Sequence, residues 1–522
     1  MRVELRNAEN KPVVADNPIP ISTDCALAPL PDWLAQPAKT TLFNPFTGTH
    51  QHYVDGVGRY QLEAGTYQLR VFKGSEFRVV ERELNVSAQE KEFHVELERW
   101  YAPDEPWVSA DVHLHIGRLH PQQDTSVARW MAAEDLQIAN LLQMGALTHF
   151  AAAPQYTFAE VADAGSLLVP GQEHPRTHLL GHSLSLGGTR AVDERSTYVD
   201  YNKTFAQVRS AGGISGFAHW GAGPAKNGIA LNVHQGNVEI LEVLGFGVLY
   251  ADTWYELLNL GFRVAAVAGT DFPCLAGIPG RERTYLRMPQ TPSREGMVEA
   301  LRRGRSFVSN GPILKFTVDG YRIGDTIELS VLEDLRIHGE LHFDPARDAV
   351  TLLELVYNGE VLRAWQINPN IGSFTFDDSF SLPTTGWVAL RTKGSKVRET
   401  MPAPFPAWMA AGFSHWMSGA SSAEVDGIMT SDERRRSYAH TSPIYIQSAQ
   451  NPRMPADIDG WLERLDMLER MLTEHDYQGA LIWDWLPYSD GVSEDHLRAN
   501  APALLQQIRA AREDFLQRAH AP

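Results

Sequence analysis

Residues 108–116 read VSADVHLHI, a run in which polar and apolar residues alternate. Alternate residues of a β-strand point to the same side, so Asp111, His113 and His115 are expected to share one face. Two imidazoles at this spacing are able to hold one metal ion. An isolated His-x-His pair is equally compatible with two solvated rings at the end of a strand, so the neighbouring segments have to decide between these interpretations.

The segments that follow alternate between buried-strand patterns and helical patterns. Stretches such as SVARWMAAEDL and TWYELLNLGF have helical spacing, and they separate apolar runs that are typical of strands: LQIANLLQM, SLLVPGQE, GISGFAHW, VEILEVLG and FRVAAVAGTD. Apolar strands followed by amphipathic helices favour βα units around a mainly parallel sheet or barrel.

Several of these runs end in residues that bind metals. Glu173 follows SLLVPGQ, His182 follows HLLG, His219 follows GISGFA and Asp271 follows RVAAVAGT. In parallel βα architectures the carboxyl ends of the strands meet at one mouth, so these residues are expected to converge with His113 and His115. Imidazole and carboxylate together suit zinc, manganese or iron, and two cysteines are too few for a thiolate-rich site. The alternative for each residue alone is a capping or surface polar group.

The flanking segments have different patterns. Residues 1–100 contain short alternating stretches such as RYQLEAGTYQLRVFKG, which predict an N-terminal antiparallel β-sandwich, and strand-like pieces return over 313–450, which predicts a second sandwich. Residues 451–522 carry leucines at helical spacing and predict a helical tail. The βα segment between the sandwiches spans 101–312.

Composition limits the classes of partner. The 522 residues suggest three or four domains, and their mean hydropathy of −0.27 is that of a soluble globular protein. A net charge of −18 disfavours nucleic acid or an anionic membrane as the main partner and leaves a small-molecule substrate as the expectation, with oligomerisation open. The sequence has no 18-residue apolar run and no signal-like N-terminus, so we expect a cytoplasmic protein, or a periplasmic or secreted one if a leader has been removed.

The ordered motifs DVHLH, GQE, GH, AHWG and AGTDFP resemble those of the PHP (polymerase and histidinol phosphatase) superfamily of metal-dependent hydrolases. The similarity is greatest to its carbaryl-hydrolase-like (CehA/McbA) branch, and it extends to AAEDLQIANLL, LLNLGFRVAAVAGTDFP, GRSFVSNGPIL and HTSPIYI. It spans about residues 50–450.

The resemblance implies a distorted PHP-type βα barrel between the two sandwiches, with one or two divalent ions (Zn, Mn or Fe) at the strand ends. It implies that metal-activated water cleaves a phosphoester, carboxylic ester or carbamate. The ligands it implies are His113, His115, Glu173, His182, His219 and Asp271. Glu173 would bridge two metals, and we expect Asp271 to act also as the acceptor of the proton from the attacking water.

The sequence departs from the family pattern in ways that bear on metal number. The position two residues beyond Asp271 is Pro273, where many members have a histidine, and the region after the second strand lacks the usual aspartate, for which only Asp124 and His149 could substitute. His149 is therefore included among the possible substrate-binding residues. Arg281 and Arg283 could orient an anionic group of the substrate, although arginines in loops more often form salt bridges.

Two classes of function remain open at this point. The first is the metal-dependent hydrolase. The second is a metal-stabilised ligand- or carbohydrate-binding protein without turnover, since a barrel with missing ligands could retain metal and lose catalysis. An open coordination position that faces a pocket would favour the hydrolase, and a closed coordination sphere would favour a structural metal.

Overall fold

The computed structural model describes most of the chain, and every structural statement below concerns the part that it describes. The described residues are 1–21, 40–44, 49–87, 92–101, 106–145, 152–193, 195–196, 198–273, 277–330, 334–397, 407, 427, 429–448, 450, 456–477 and 492–519.

The N-terminal segment forms one antiparallel sheet with strand order β2-β3-β1-β4-β5. Its inward face carries apolar residues at a period of two, such as Tyr67, Leu69 and Val71 on β4, which explains why this stretch pairs as a strand. Residues 59–62, which the alternation placed in a strand before the turn, have no regular structure. Among the described residues of this segment we find one sheet and no second sheet of a sandwich. The strands are β1 (Arg2–Asn7), β2 (Leu42–Asn44), β3 (Thr49–Tyr53), β4 (Gly65–Phe72) and β5 (Val80–Val86).

The middle segment contains eleven described strands and five α-helices. The strands are β6 (Trp107–Leu114), β7 (Ile138–Met144), β8 (Val161–Asp163), β9 (Ser166–Thr177), β10 (Gly181–Leu186), β11 (Ile214–Phe217), β12 (Ile240–Gly245), β13 (Val248–Leu249), β14 (Ala265–Ala268), β15 (Arg283–Arg287) and β16 (Ser306–Ser309). The helices are α1 (Gln122–Ala133), α2 (Tyr201–Ser210), α3 (Pro224–Asn232), α4 (Asp252–Asn259) and α5 (Arg294–Arg302).

These strands pair as one long arc. Strands β6, β7 and β9 are parallel, β10 runs antiparallel between β9 and β11, and β11, β12 and β14 are parallel again. Strand β6 also pairs antiparallel with β15, and the chain after β14 returns to β6 where Leu114 forms a parallel bridge with Phe272 and the His115 N–H donates to the Phe272 carbonyl at 2.7 Å. The PHP-type barrel implied by the resemblance stays a prediction.

Strand β6 explains how one strand serves both the core and a polar site. Val108, Ala110, Val112 and Leu114 are fully buried in apolar clusters. The intervening residues, among them Asp111 and His113, are polar and equally buried, and they point to the other face. The alternation that begins at residue 108 therefore separates apolar packing from chemistry along the whole strand.

Residues 313–448 form two further sheets around a shared apolar core that includes Phe316, Leu355 and Leu390. One sheet has the order β18-β17-β20-β23, and the other continues the arc because β16 pairs antiparallel with β25, which pairs with β24. The strands are β17 (Ile313–Val318), β18 (Tyr321–Arg322), β19 (Thr326–Leu329), β20 (Leu335–His342), β21 (Val350–Tyr357), β22 (Glu360–Gln366), β23 (Ser373–Phe380), β24 (Gly386–Gly394), β25 (Tyr438–Thr441) and β26 (Ile444–Ser448).

The C-terminal segment contributes two helices, α6 (Asp459–Glu474) and α7 (Glu494–Ala519). Their apolar faces belong to the same core as helices α3 and α4, and the rings of Trp461 and Phe515 stack with centroids 5.4 Å apart. Within the described residues, we find no helix with the length and apolar character needed to cross a membrane.

Candidate metal centre

His113 lies on β6 and His115 follows the last residue of that strand, and each ring is oriented by a hydrogen bond from its Nδ1 atom. His113 Nδ1 lies 3.0 Å from Glu242 Oε2, and His115 Nδ1 lies 2.9 Å from the Leu142 carbonyl oxygen. Both partners are acceptors, so both Nδ1 atoms carry the donated proton and the Nε2 atoms are left to face Asp271 and Glu173. The two Nε2 atoms are 3.2 Å apart.

Two carboxylates approach this pair of nitrogens. Asp271 Oδ1 lies 3.1 Å from His115 Nε2 and 3.6 Å from His113 Nε2. Glu173 Oε2 lies 3.6 Å from His115 Nε2, and its Oε1 lies 3.9 Å from His113 Nε2. Four side chains from three separate parts of the chain therefore surround one point.

A second pair of histidines lies on the far side of the same carboxylates. His182 Nδ1 is 2.5 Å from Glu173 Oε1, and His219 Nε2 is 3.7 Å from Asp271 Oδ2. The rings of His182 and His219 have centroids 5.0 Å apart. Glu173 and Asp271 thus each lie between the pair His113 and His115 and the pair His182 and His219.

The route by which two of these ligands arrive differs from the one expected from the sequence. Glu173 lies within the long strand β9 and not at its end, and His182 lies at the start of β10, which is antiparallel to β9. The start of an antiparallel strand lies at the same edge as the carboxyl ends of its parallel neighbours. His182 therefore reaches the common edge from the opposite chain direction.

The backbone at the site is unusual for residues other than glycine. His219, Trp220 and Asp271 have φ values of 56°, 66° and 52°, in the left-handed region that costs energy for a residue with a β-carbon. Gly269 approaches β6 so closely that a β-carbon there would lie 2.3 Å from His113 Cβ. The backbone is therefore strained at His219 and Asp271, two of the predicted metal ligands.

Glu242 is a functional residue that the sequence reasoning did not single out. Its Oε2 accepts from His113 Nδ1 and, at 3.2 Å, from the backbone N–H of His219, so it orients one ligand from each pair. A carboxylate behind a ligating histidine fixes the ring and raises its basicity. The available signal was an acidic residue inside the apolar strand ILEVLG, where a charge has to have a partner.

Asp111 and Arg176 support the ligands without joining the two pairs. Asp111 accepts hydrogen bonds from Thr270 Oγ1 at 2.7 Å and from the backbone N–H of Gly280 at 2.9 Å, and so it holds the two ends of the loop that carries Asp271. Burial raises the pKa of Asp111 to about 6. Arg176 Nε lies 3.5 Å from Glu173 Oε2.

The electrostatics of the centre favour a cation. Burial lowers the pKa of His113, but the negative charges of Glu242 and Asp271 outweigh it and raise that pKa to about 10. Burial opposes ionisation of Asp271 and Glu173, yet neighbouring histidines hold the pKa of both carboxyls well below the usual range, helped by Arg176 in the case of Glu173. Glu173, Glu242 and Asp271 carry three negative charges against the one positive charge of Arg176, and this excess costs energy unless protonation of a histidine or a bound cation compensates it.

The geometry also fits a divalent metal. Two nitrogens bound at about 2.05 Å in a tetrahedral site are about 3.3 Å apart, close to the 3.2 Å between the Nε2 atoms of His113 and His115. Three groups of buried residues have ligand atoms close enough for one ion: His113, His115 and Glu173; Glu173, His182 and His219; and His113, His219 and Glu242. The first two groups share Glu173, as a bridging carboxylate requires.

The residues expected to contact substrate have different surroundings. Arg281 is buried, and its Nε donates to both Glu282 oxygens at 2.8 and 2.7 Å. Arg283 lies away from the ligands, because its guanidinium is buried and donates to the carbonyls of Glu134, Asp135 and Gly280. Its donors are used to hold α1 against the sheet and are not presented to a substrate. His149 lies outside the described residues.

Asp124, the other residue expected to replace a missing ligand, is also engaged elsewhere. Its carboxylate accepts from Arg118 Nη1 at 2.9 Å and from the Tyr156 hydroxyl at 2.5 Å. It therefore anchors the start of α1 to the loop after β6 and does not enter the metal centre.

Comparison with known proteins adds no relative to this description. No protein-family model, no curated protein and no solved structure matches the chain. Membership of the PHP superfamily and of its carbaryl-hydrolase-like branch accordingly stays a prediction from the sequence motifs.

Proposed function

We propose that the protein is a metal-dependent hydrolase that uses water activated at this centre to cleave an ester-like bond. The observation that carries the proposal is the convergence of four histidines with Glu173 and Asp271, in two pairs that share both carboxylates. His113, His115 and Asp271 would hold one ion, His182 and His219 would hold a second, and Glu173 would bridge them. Zinc, manganese and iron are the ions that this donor set suits.

A bound divalent ion of this kind supplies hydroxide at neutral pH and polarises the bond to be cleaved. The chain's own residues supply position and proton transfer. Glu242 and the Leu142 carbonyl hold His113 and His115 with their Nε2 atoms toward the centre, so no reorientation is needed when a ligand binds.

Asp271 is the residue we assign to proton transfer. Its side chain is 13% exposed, whereas those of His113, His115 and Glu173 are 2% exposed or less. It is therefore the carboxylate nearest to solvent, and its Oδ2 would accept the proton that leaves the attacking water. Its companion Glu173 is the more deeply buried and would serve as the bridge.

Access to the centre favours turnover over a purely structural metal. His182 and His219 line a narrow crevice together with Thr177, Gly181, Ala222, Pro224 and Ala225. Its volume of about 10 Å³ is enough for about one water molecule, so the crevice gives the attacking water of a hydrolysis a route to two of the ligands. Arg281, which lies ten residues after Asp271 in the sequence, remains our candidate for binding an anionic group of the substrate.

The first experiment is elemental analysis of protein purified without chelator or metal-affinity resin. It is paired with a screen of aryl phosphates, carboxylic esters and carbamates after addition of Mn²⁺, Zn²⁺ or Fe²⁺. We expect one or two metals per chain and chelator-sensitive cleavage of one bond class. Metal without cleavage of any of the three classes would favour the metal-stabilised binding protein, and absence of metal under all conditions would refute the site.

A further inference from the structure

A second concave site lies at the end of β14 opposite to Asp271. It is a cavity of about 300 Å³, hereafter the basal cavity, and it lies where the middle segment contacts the C-terminal sheets. Arg263 precedes β14, and Asp325 and Tyr445 close the other side. Arg302 is the last residue of α5, and Arg303 and Arg305 lie in the turn that follows it. The site is separate from the metal centre and contains none of its residues.

The wall of the basal cavity is built by close backbone contacts. Gly324, with φ of +88°, approaches the turn after α5 so closely that a β-carbon would lie 2.3 Å from the Arg303 carbonyl oxygen. The Gly324 N–H also donates to the Pro443 carbonyl at 2.8 Å, and the Tyr445 N–H donates to the Asp325 carbonyl at 3.0 Å. Three chain segments are thus fixed around the opening.

Some of the charges that line the cavity are already compensated. Arg302 pairs with Glu239 at 3.0 Å, Arg303 pairs with Glu299, and Asp325 lies 4.0 Å from Arg287. These groups account for most of the lining charge and leave Arg263 and Arg305 to be considered.

Within the described part of the chain, we find no ion pair formed by Arg263 or Arg305. The Arg263 guanidinium lies 3.9 Å from the centroid of the Tyr445 ring, which holds it at the edge of the opening. Two uncompensated guanidinium groups thus line one concavity, in a chain whose net charge is −18. This is the arrangement of an anion site, because the forked donors of arginine match the oxygens of a phosphate.

We propose that the basal cavity binds the phosphate group of a small phosphate monoester. Such a group carries close to two negative charges at neutral pH, which match the two uncompensated arginines. A neighbouring cavity of about 360 Å³ shares Arg263 and Tyr445 and is lined also by Tyr357, Asn358 and Trp387. Its aromatic and amide groups give the organic part of the ester a place to bind.

The test is calorimetric titration of the full-length protein with inorganic phosphate at constant ionic strength, before and after treatment with a chelator. We expect binding in both cases. Arg263→Gln and Arg305→Gln should each weaken it about tenfold or more, since each removes a charged hydrogen-bond donor. Arg336→Gln makes the same change of charge at a side chain that is 88% exposed and outside the cavity, and should leave binding within about twofold.

Two further variants distinguish loss of the phosphate site from misfolding and from failure of the hydrolase proposal. Arg305→Lys retains the charge without the fork and should bind phosphate more tightly than Arg305→Gln, which a misfolded variant would not do. A His113→Ala, His115→Ala protein should bind phosphate as the wild type does, so failure of the hydrolase proposal leaves this one standing. Absence of phosphate binding, binding as tight as that of the wild type in the Arg263→Gln and Arg305→Gln variants, or loss of binding with the chelator or in the double histidine variant would overturn the basal site.

Discussion

Two buried histidines of the molecule, His113 and His440, differ in what surrounds them. In the metal centre, His113 lies among Glu242, Glu173 and Asp271, and its pKa is raised to about 10. At the junction of α4 with the C-terminal sheet, His440 is just as buried, but its Nδ1 donates to the Thr441 carbonyl at 2.7 Å and its Nε2 accepts from the Tyr255 hydroxyl at 2.5 Å. Burial lowers the pKa of His440 to about 3.

The difference distinguishes a binding site from a structural network. Each nitrogen of His440 has one neutral partner, so the group is complete without any ligand. The histidines of the metal centre face ionised carboxylates whose charge only a proton or a metal ion can balance. Burial alone therefore does not predict a metal-binding histidine, whereas burial among carboxylates does.

The largest expected effect tests the metal-centre side of this comparison. His113→Ala combined with His115→Ala should remove most of the bound metal and lower hydrolytic activity by roughly a thousandfold or more, because both Nε2 ligands are lost. Elemental analysis and the substrate assay measure the two effects. His440→Gln is the matched control and should retain the metal of the wild type. Undiminished metal in the double variant would mean that the ligands are misassigned.

The next effect concerns Asp271. Asp271→Asn keeps the size of the side chain and removes its basicity, so turnover should fall roughly 10²- to 10⁴-fold, with KM changed much less. Steady-state kinetics at saturating metal separate the two quantities, and metal content is measured on the same sample. Weaker substrate binding with normal turnover would argue against a role in proton transfer.

A smaller effect on metal affinity is expected at Glu242, which contacts the Nδ1 atom of the predicted ligand His113. Glu242→Gln removes the negative charge that orients His113, and metal affinity should fall roughly 10- to 100-fold, as measured by competition with a chelating dye. Glu239→Gln provides the control, since Glu239 precedes the same strand but pairs with Arg302 outside the centre. If both variants bind metal equally, Glu242 has no part in holding His113.

The smallest expected effect is a pH dependence of the unfolding free energy that arises from His440. The pKa of His440 lies near 3 in the folded protein and at the ordinary 6.5 when unfolded, so between these values the unfolded chain binds the additional proton. This contribution to stability is therefore lost as the pH falls below about 6.5. Denaturant titrations should show the difference in unfolding free energy between wild type and His440→Gln decreasing by about 1 kcal/mol from pH 6 to pH 5. A difference independent of pH would show that folding leaves the pKa of His440 near its ordinary value.

The sequence was informative where one element determines the arrangement. The alternation on β6 is a local property, so DVHLH was sufficient to place Asp111, His113 and His115 on one face. His219 and Asp271 follow short parallel strands, and the rule that parallel strands share a carboxyl edge was sufficient to bring them together.

The remaining features depend on contacts that local patterns do not encode. His182 reaches the centre because β10 runs antiparallel in an otherwise largely parallel arc, and strand direction is set by long-range pairing. Glu242 is hidden in an apolar strand, and its role depends on a neighbour 129 positions earlier. Arg283 lies close to Arg281 in a sequence that is typical of a loop, yet its guanidinium donates to the carbonyls of Glu134 and Asp135, which directly follow α1.

The pairing of β16 with both β15 and β25 has a consequence for how the protein is handled. Because a strand of the middle segment is hydrogen-bonded on both sides, a chain ended after residue 312 would leave the outer edge of β16 with open N–H and C=O groups. Exposed edges of this kind recruit strands from other molecules. A shortened fragment that carries every metal ligand is therefore expected to aggregate, and the ligand-bearing arc and the C-terminal sheets to melt as one cooperative unit.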